Sequence, residues 1–244
     1  HPPVFFYAIA ILDFALNNIY LSGKTIVIAS SLVFFFILFF AIRQISGEKT
    51  AIATTVLLGL TKAIWGFYNN IMIESLLLVL LAATIYFYLK SLGSFKRSDF
   101  ALAGFFLGLS LLTKTTAVLL AIPMFFYYFY FFKEKIFPKQ KFLNPDISAI
   151  KNVFLLVLVA GLVVFPYNFY KSANGAKPLF EDGSTKVVVT GFLSDGTYGG
   201  SPPEYYFTNF FELSSPILGL FFLLGAFFYF TKKPHNFFIF TVFF

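Results

Sequence analysis

The run LGLSLLTKTTAVLLAIP, from Leu107 to Pro123, carries one charged side chain, Lys114. A lysine at the centre of a membrane helix costs roughly 2.5–3.5 kcal/mol on insertion scales. Two chemistries account for retaining it. The long aliphatic stem can carry the ammonium out to the headgroup layer, or the ammonium can grip an anion such as a lipid phosphate. The flanking hydroxyls of Thr113, Thr115 and Thr116 would add hydrogen bonds to such an anion, and the N-terminus of a helix starting here would favour it too. Glu74 is the second candidate, in YNNIMIESLLLVLL. An acid in the first turn complements the helix dipole without any further role. It could instead face an outer cavity beside Asn69 and Asn70 and orient an acceptor or a sugar hydroxyl.

The other polar groups are less pointed. Lys62, in LLGLTKAIWGFYNN, either snorkels outward or pairs with Glu74, and is a further candidate for lining a substrate cavity. Trp65, Tyr68, Tyr205 and Tyr206 read as interfacial aromatics, the last two also as candidates for lining a substrate cavity. His235 beside Lys232 and Lys233 belongs to a solvated loop. Glu181, Asp182, Asp195, Glu204 and Glu212 sit among Asp-Gly and Gly-Ser steps, which are turn chemistry rather than a calcium site. The two histidines are far apart and cysteine is absent. No metal-ligand spacing, disulfide framework or thiolate chemistry is therefore expected.

The elements that must position these residues are apolar. The 244 residues are 59% hydrophobic and 12% charged, against about 25% charged in soluble domains. One globular core cannot hide that much apolar surface, so lipid must be its solvent. The net charge of +7 reports topology before it reports a partner, and no nucleic-acid partner is expected. Apolar segments fall at roughly 4–20, 25–42, 51–67, 73–89, 100–113, 116–132, 153–167, 213–230 and 237–244. Most approach the roughly 17–25 residues of a membrane span.

Basic clusters occur in RQISGEK (43–49), KSLGSFKRSD (90–99), KEKIFPKQKFLNPDISAIK (133–151) and TKKPHN (231–236). They fall on one side when each segment from Thr25 onward is a single crossing, and the positive-inside rule makes that side cytoplasmic. Gly23–Lys24, Tyr68–Glu74, Lys114 and the long segment Lys171–Glu212 then face outward. By parity, the first segment, 4–20, is an interfacial helix bracketed by His1-Pro2-Pro3 and a turn at Leu21–Lys24. The run 100–132 is too long for one crossing, so two short helices are expected to meet at TKTT. The outer segment contains turn signals and one strand-like stretch, KVVVTGFL. The expected fold is all-α, a polytopic transmembrane helical bundle with an extracytoplasmic loop subdomain. Its parts are a membrane core (1–170), the loop (171–212) and further spans (213–244). The sequence begins at His1 and ends inside the apolar run NFFIFTVFF, which reads as an internal fragment of a longer chain.

Taken in order, HPPVFFYAIAIL, NNIMIESLLLVLLAATIYFYLKS and ALAGFFLGLSLLTKTTAVLLAIP resemble the membrane core of the GT-C glycosyltransferases. The closer likeness is to the dolichyl-phosphate-mannose protein mannosyltransferase and aminoarabinose transferase group. SPPEYYFTNFFELSSPILGLFFLLG resembles the group's later junction between outer loop and helix. The resemblance implies a multi-span plasma-membrane enzyme that takes a sugar from a polyprenyl-phosphate carrier. It passes the sugar to a protein or lipid acceptor on the extracytoplasmic side, by inverting displacement at the anomeric carbon. It also implies that His1, beside the Pro-Pro pair, and Lys114, the LTK lysine, contact the donor phosphate, and that Glu74 lines the outer cavity. No cofactor is expected, although some relatives use a divalent cation.

In this group the catalytic acid lies before the HPP element, so the base is expected upstream of His1 and the fragment alone is expected to be inactive. The competing reading is a multi-span transporter or flippase for a lipid-linked or polar solute, which predicts charges lining a path to both faces. A structural membrane subunit without chemistry is a third. The unusual charges lie toward the outer side only, which favours the transferase.

Overall fold

The computed structural model describes residues 3–136 and 147–176. Within them the chain is helical, with no strand. Helices α1 (Val4–Leu16), α2 (Ile19–Ser46), α3 (Glu48–Gly59), α4 (Lys62–Asn69), α5 (Ile73–Ser94) and α6 (Arg97–Leu111) are followed by a 3-10 turn at Thr115–Ala117. Helices α7 (Val118–Ile136) and α8 (Ile147–Ala173) complete the order. Among the described residues, three helical stretches are long and apolar enough to cross a membrane: Ile19–Ser46, Ile73–Ser94 and Lys151–Ala173. The strand-like stretch, the loop beyond Ala176 and the segments at 213–230 and 237–244 lie outside the described residues.

The helices pack in a row in which α1 lies on α2, α2 on α5, α5 on α6 and α6 on α8, with α3 against the flank of α2. Helix α6 is the centre. Phe100 and Ala103 are fully buried, and Phe106 stacks on Phe87 of α5 at 5.4 Å between centroids. Toward α8 the surface of α6 is bare backbone. A Cβ on Gly108 would stand 2.7 Å from Val163 Cβ and 2.9 Å from the Ala160 carbonyl, and one on Gly104 would collide with the Leu156 carbonyl. Two glycines one turn apart let the helix backbones approach closely, which is how helices gain packing energy where lipid supplies no hydrophobic drive. Helix α7 reaches this core through Met124 and Tyr128. The Tyr128 ring stands edge-on to Phe100, and the Tyr88 hydroxyl of α5 donates to the Met124 carbonyl.

Four buried serine and threonine hydroxyls of the core bond back within their own helical segments. Thr84 donates to the Leu80 carbonyl, Ser91 to Tyr88, Ser110 to Phe106 and Thr113 to Leu109. This back-bonding lets small polar residues lie between helices without seeking a partner across the interface.

Two boundaries differ from the sequence expectation. The turn after the first segment is Asn17-Asn18, not Leu21–Lys24. Asn17 is left-handed at φ 49° and Asn18 accepts from the Leu21 amide as the N-cap of α2. Asparagine tolerates both conformations, and it places Lys24 on α2 rather than in a loop. The segment 51–67, expected as one helix, is broken between α3 and α4. Thr61 donates from both its amide (3.1 Å) and its hydroxyl (2.8 Å) to the Leu58 carbonyl, and its extended backbone (ψ 136°) ends the run. The run at 100–132 does divide at TKTT, with α6 ending at Leu111 and α7 starting at Val118.

Candidate functional site

The connectivity sorts the charges to two ends of the row. Arg43, Lys90, Arg97 and Asp99 stand at one end. There Lys90 Nζ lies 3.4 Å from Asp99 Oδ1, and the Ser94 hydroxyl donates to Asp99 Oδ2 at 2.6 Å, closing the α5–α6 turn. At the opposite end stand Lys24 near the start of α2, Glu74 in the first turn of α5, Lys114 after α6 and Lys171 in the last turn of α8.

Lys114 occupies the step between α6 and the 3-10 turn, with extended backbone at φ −155° and ψ 128°. Its amide donates to the Ser110 carbonyl at 2.8 Å, and its carbonyl accepts from Ala117 at 3.0 Å. The two helices thus hold the residue from both sides while its side chain leaves the α6 axis. Nζ lies 2.7 Å from Glu74 Oε1. The side chains are 40% and 23% exposed, so the pair is half-buried and open on one side. An ammonium has three donors and the carboxylate uses one of them. A charge-assisted bond this short is among the strong kind, and it fixes the direction in which the ammonium points.

The start of α1 is tied to the same place. The Val4 amide donates to the Leu112 carbonyl at 3.2 Å, which holds the residues after Pro2 two positions from Lys114. Beside this tie lies a cavity of about 320 Å³, lined by Pro3, Val4 and Tyr7, by Leu112, and by Tyr167 and Tyr170 with neighbours on α8. Its lining combines aliphatic surface with tyrosine, a character suited to an amphipathic ligand. The Lys171 ammonium stands 5.7 Å from the Tyr167 ring centroid.

Of the residues singled out from sequence, Glu74 and Lys114 are brought together. Asn69 and Asn70 lie at the end of α4 and are exposed. The Asn69 carbonyl accepts from Lys24, and the Asn70 side-chain amide donates to the Gly66 carbonyl at 3.1 Å, so both take part in ending the helix. Lys62 is the first residue of α4. His1, Tyr205 and Tyr206 lie outside the described residues. Among the described residues no group of three His, Cys, Asp or Glu could hold a metal.

Sequence reasoning treated Glu74 and Lys114 separately and offered Lys62 as a partner for the acid. It did not single out Tyr7, Tyr167 or Tyr170 as cavity residues, or Lys24 as a contact of the α4–α5 link. The three-residue spacing of Tyr167 and Tyr170 on one helix face was the available signal.

A family model described as dolichyl-phosphate-mannose-protein mannosyltransferase matches residues 1–167. No curated protein and no solved structure matches the chain.

Proposed function

Since the chain belongs to the dolichyl-phosphate-mannose-protein mannosyltransferase family, a family of membrane glycosyltransferases, we propose that it moves a sugar from a polyprenyl-phosphate donor to a protein or lipid acceptor on the extracytoplasmic side of the plasma membrane. The observation that carries this reading is the half-buried Lys114–Glu74 pair at one end of the row, beside the tethered start of α1. A multi-pass arrangement with that end facing outward fits the basic clusters at the other end.

In the proposed reaction an acceptor hydroxyl attacks the anomeric carbon. The bond from that carbon to the phosphate oxygen breaks, the hydroxyl proton passes to a carboxylate base, and the lipid phosphate departs with the bonding electrons. Lys114 meets the negative charge that grows on the phosphate. A preorganised cation in a partly dehydrated site stabilises such charge more than water does. Glu74 is the wrong group for the base in this arrangement, because a carboxylate bonded to an ammonium is a weakened proton acceptor. Its part is to aim Lys114. His1 is proposed as a second phosphate contact and the base is assigned to the segment preceding it in the family. The cavity beside Leu112 would take the part of the donor adjoining the phosphate.

The test is native mass spectrometry of the protein in mild detergent with a polyprenyl-phosphate sugar added. Wild type is expected to retain the lipid phosphate, and Lys114→Ala to lose at least about tenfold in occupancy, the scale of one charge-assisted hydrogen bond. Equal retention by the two proteins would overturn the assignment and make Lys114 a snorkelling anchor.

A further inference from the structure

Helix α5 begins without a side-chain N-cap. Its N-cap, Met72, has extended backbone (φ −123°, ψ 143°) and makes no side-chain cap. Ser75 closes the first turn, donating from its hydroxyl to the Met72 carbonyl at 2.7 Å and from its amide at 3.3 Å. Glu74 sits in that turn, so the place of its carboxylate depends on what holds the α4–α5 link, Asn70–Met72.

Two contacts from α2 hold that link. The Lys24 ammonium donates to the Asn69 carbonyl at 2.5 Å. This carbonyl lies at the C-terminal end of α4, where orphan carbonyls and the negative end of the dipole attract a cation. One residue earlier, Gly23 is buried and bare, and Ile71 lies over it. A Cβ at that position would stand 2.9 Å from Ile71 Cγ2 and 3.0 Å from Cδ1, too close for either to stay. Lys24 and Gly23 thus fasten the residues on both sides of Asn70 to one face of α2.

We propose that Lys24, seated by Gly23, is a positioning residue for the Glu74–Lys114 pair. The line of contact runs from the Lys24 ammonium to the Asn69 carbonyl, along three residues of backbone into the first turn of α5, and across the Glu74 carboxylate to Lys114. Lys24 touches neither reacting group. It acts by fixing where α5 starts, and therefore which way Lys114 is aimed. A lysine that merely capped α4 would support that helix and leave Glu74 unaffected. The proposal rests on the reading of Lys114 as a phosphate contact only for its binding readout.

Two readouts test it. The first is a double-mutant cycle on retention of a polyprenyl phosphate by the purified protein. Lys24→Met is expected to weaken retention about tenfold when Glu74 is present, and to add nothing in a Glu74→Gln background, a coupling within the usual range for residues that share partners. Lys24→Arg, which keeps a donor on a long stem, is expected to restore most of the loss. The second needs no ligand. Amide hydrogen exchange across residues 71–76 is expected to quicken in Lys24→Met, while the second half of α5 stays protected. Gly23→Val, which displaces Ile71 but keeps the ammonium, should quicken the same amides and serves if Lys24→Met does not fold. Additive effects of Lys24→Met and Glu74→Gln, or unchanged exchange at 71–76 in both variants, would overturn the proposal. A wild type that retains no lipid phosphate, with exchange still quickened by Lys24→Met, would uphold the positioning role and overturn the donor reading.

Discussion

Helix α6 and the broken segment α3–α4 have similar apolar content but different packing. Helix α6 is enclosed by α5 and α8, its glycines lie against carbonyls of α8, and its buried hydroxyls are bonded one turn back. The α3–α4 segment rests mainly on α2. It holds the two buried hydroxyls without a hydrogen-bond partner among the described residues, Thr55 Oγ1 and Tyr68 Oη. Hydropathy does not distinguish the two regions. What does is whether the surface of each helix finds a complementary backbone close by, because between lipid-soluble helices stability comes from packing rather than from apolar transfer. The candidate site takes Lys114 from the end of the tight region, and Glu74 from the first turn of α5, where the chain leaves the loose one.

The largest effect separating the regions should come from Gly104→Val. A branched side chain there meets the Leu156 backbone, which has no room to yield, and overpacking of this kind costs about 1–3 kcal/mol or more. Thermal unfolding in detergent is expected to fall by many degrees, or the protein to elute aggregated. A wild-type melting curve would show that α6 and α8 do not pack as described.

Next in size is a matched pair of hydroxyl deletions. Tyr88→Phe removes the donor to the Met124 carbonyl in the core and should destabilise by about 0.5–1.5 kcal/mol. Tyr68→Phe removes a buried hydroxyl that has no partner among the described residues while keeping the ring against Phe34 and Phe35, so it should be neutral or stabilising by up to about 1 kcal/mol. Equal losses in the two variants would erase the contrast between the regions.

The smallest effect is a gain. A Cβ on Gly66 of α4 meets nothing within 4 Å, and helix propensity favours alanine over glycine by about 0.5–1 kcal/mol. Gly66→Ala should raise thermal stability slightly, where Gly104→Val lowers it severely. If Gly66→Ala destabilised the protein, α4 would be more tightly enclosed than its surroundings suggest.

Much of the architecture was legible beforehand. The division at TKTT followed from one lysine in a run too long for one crossing, and the first turn of α5 was marked by Glu74. Other features were hidden for definable reasons. The break at Leu60–Thr61 escaped notice because a threonine that bonds the Leu58 carbonyl is as compatible with an apolar window as one that faces lipid. The start of α2 was placed too late because a lysine near an apolar run resembles a loop residue, whereas Lys24 lies inside the helix and reaches the end of α4.

The sequence by itself determined the solvent, the helical class and the residues worth suspecting. Those follow from composition, from the lengths of apolar runs and from the cost of placing a charge among them. Only the tertiary structure decided that Glu74 and Lys114, forty positions apart, form one ion pair, and that Lys24 and Gly23 stand behind it. Pairing across helices depends on the register in which α5 meets α6 and α2. That register is set by side-chain and backbone fit over whole helix faces, and no single apolar run contains it.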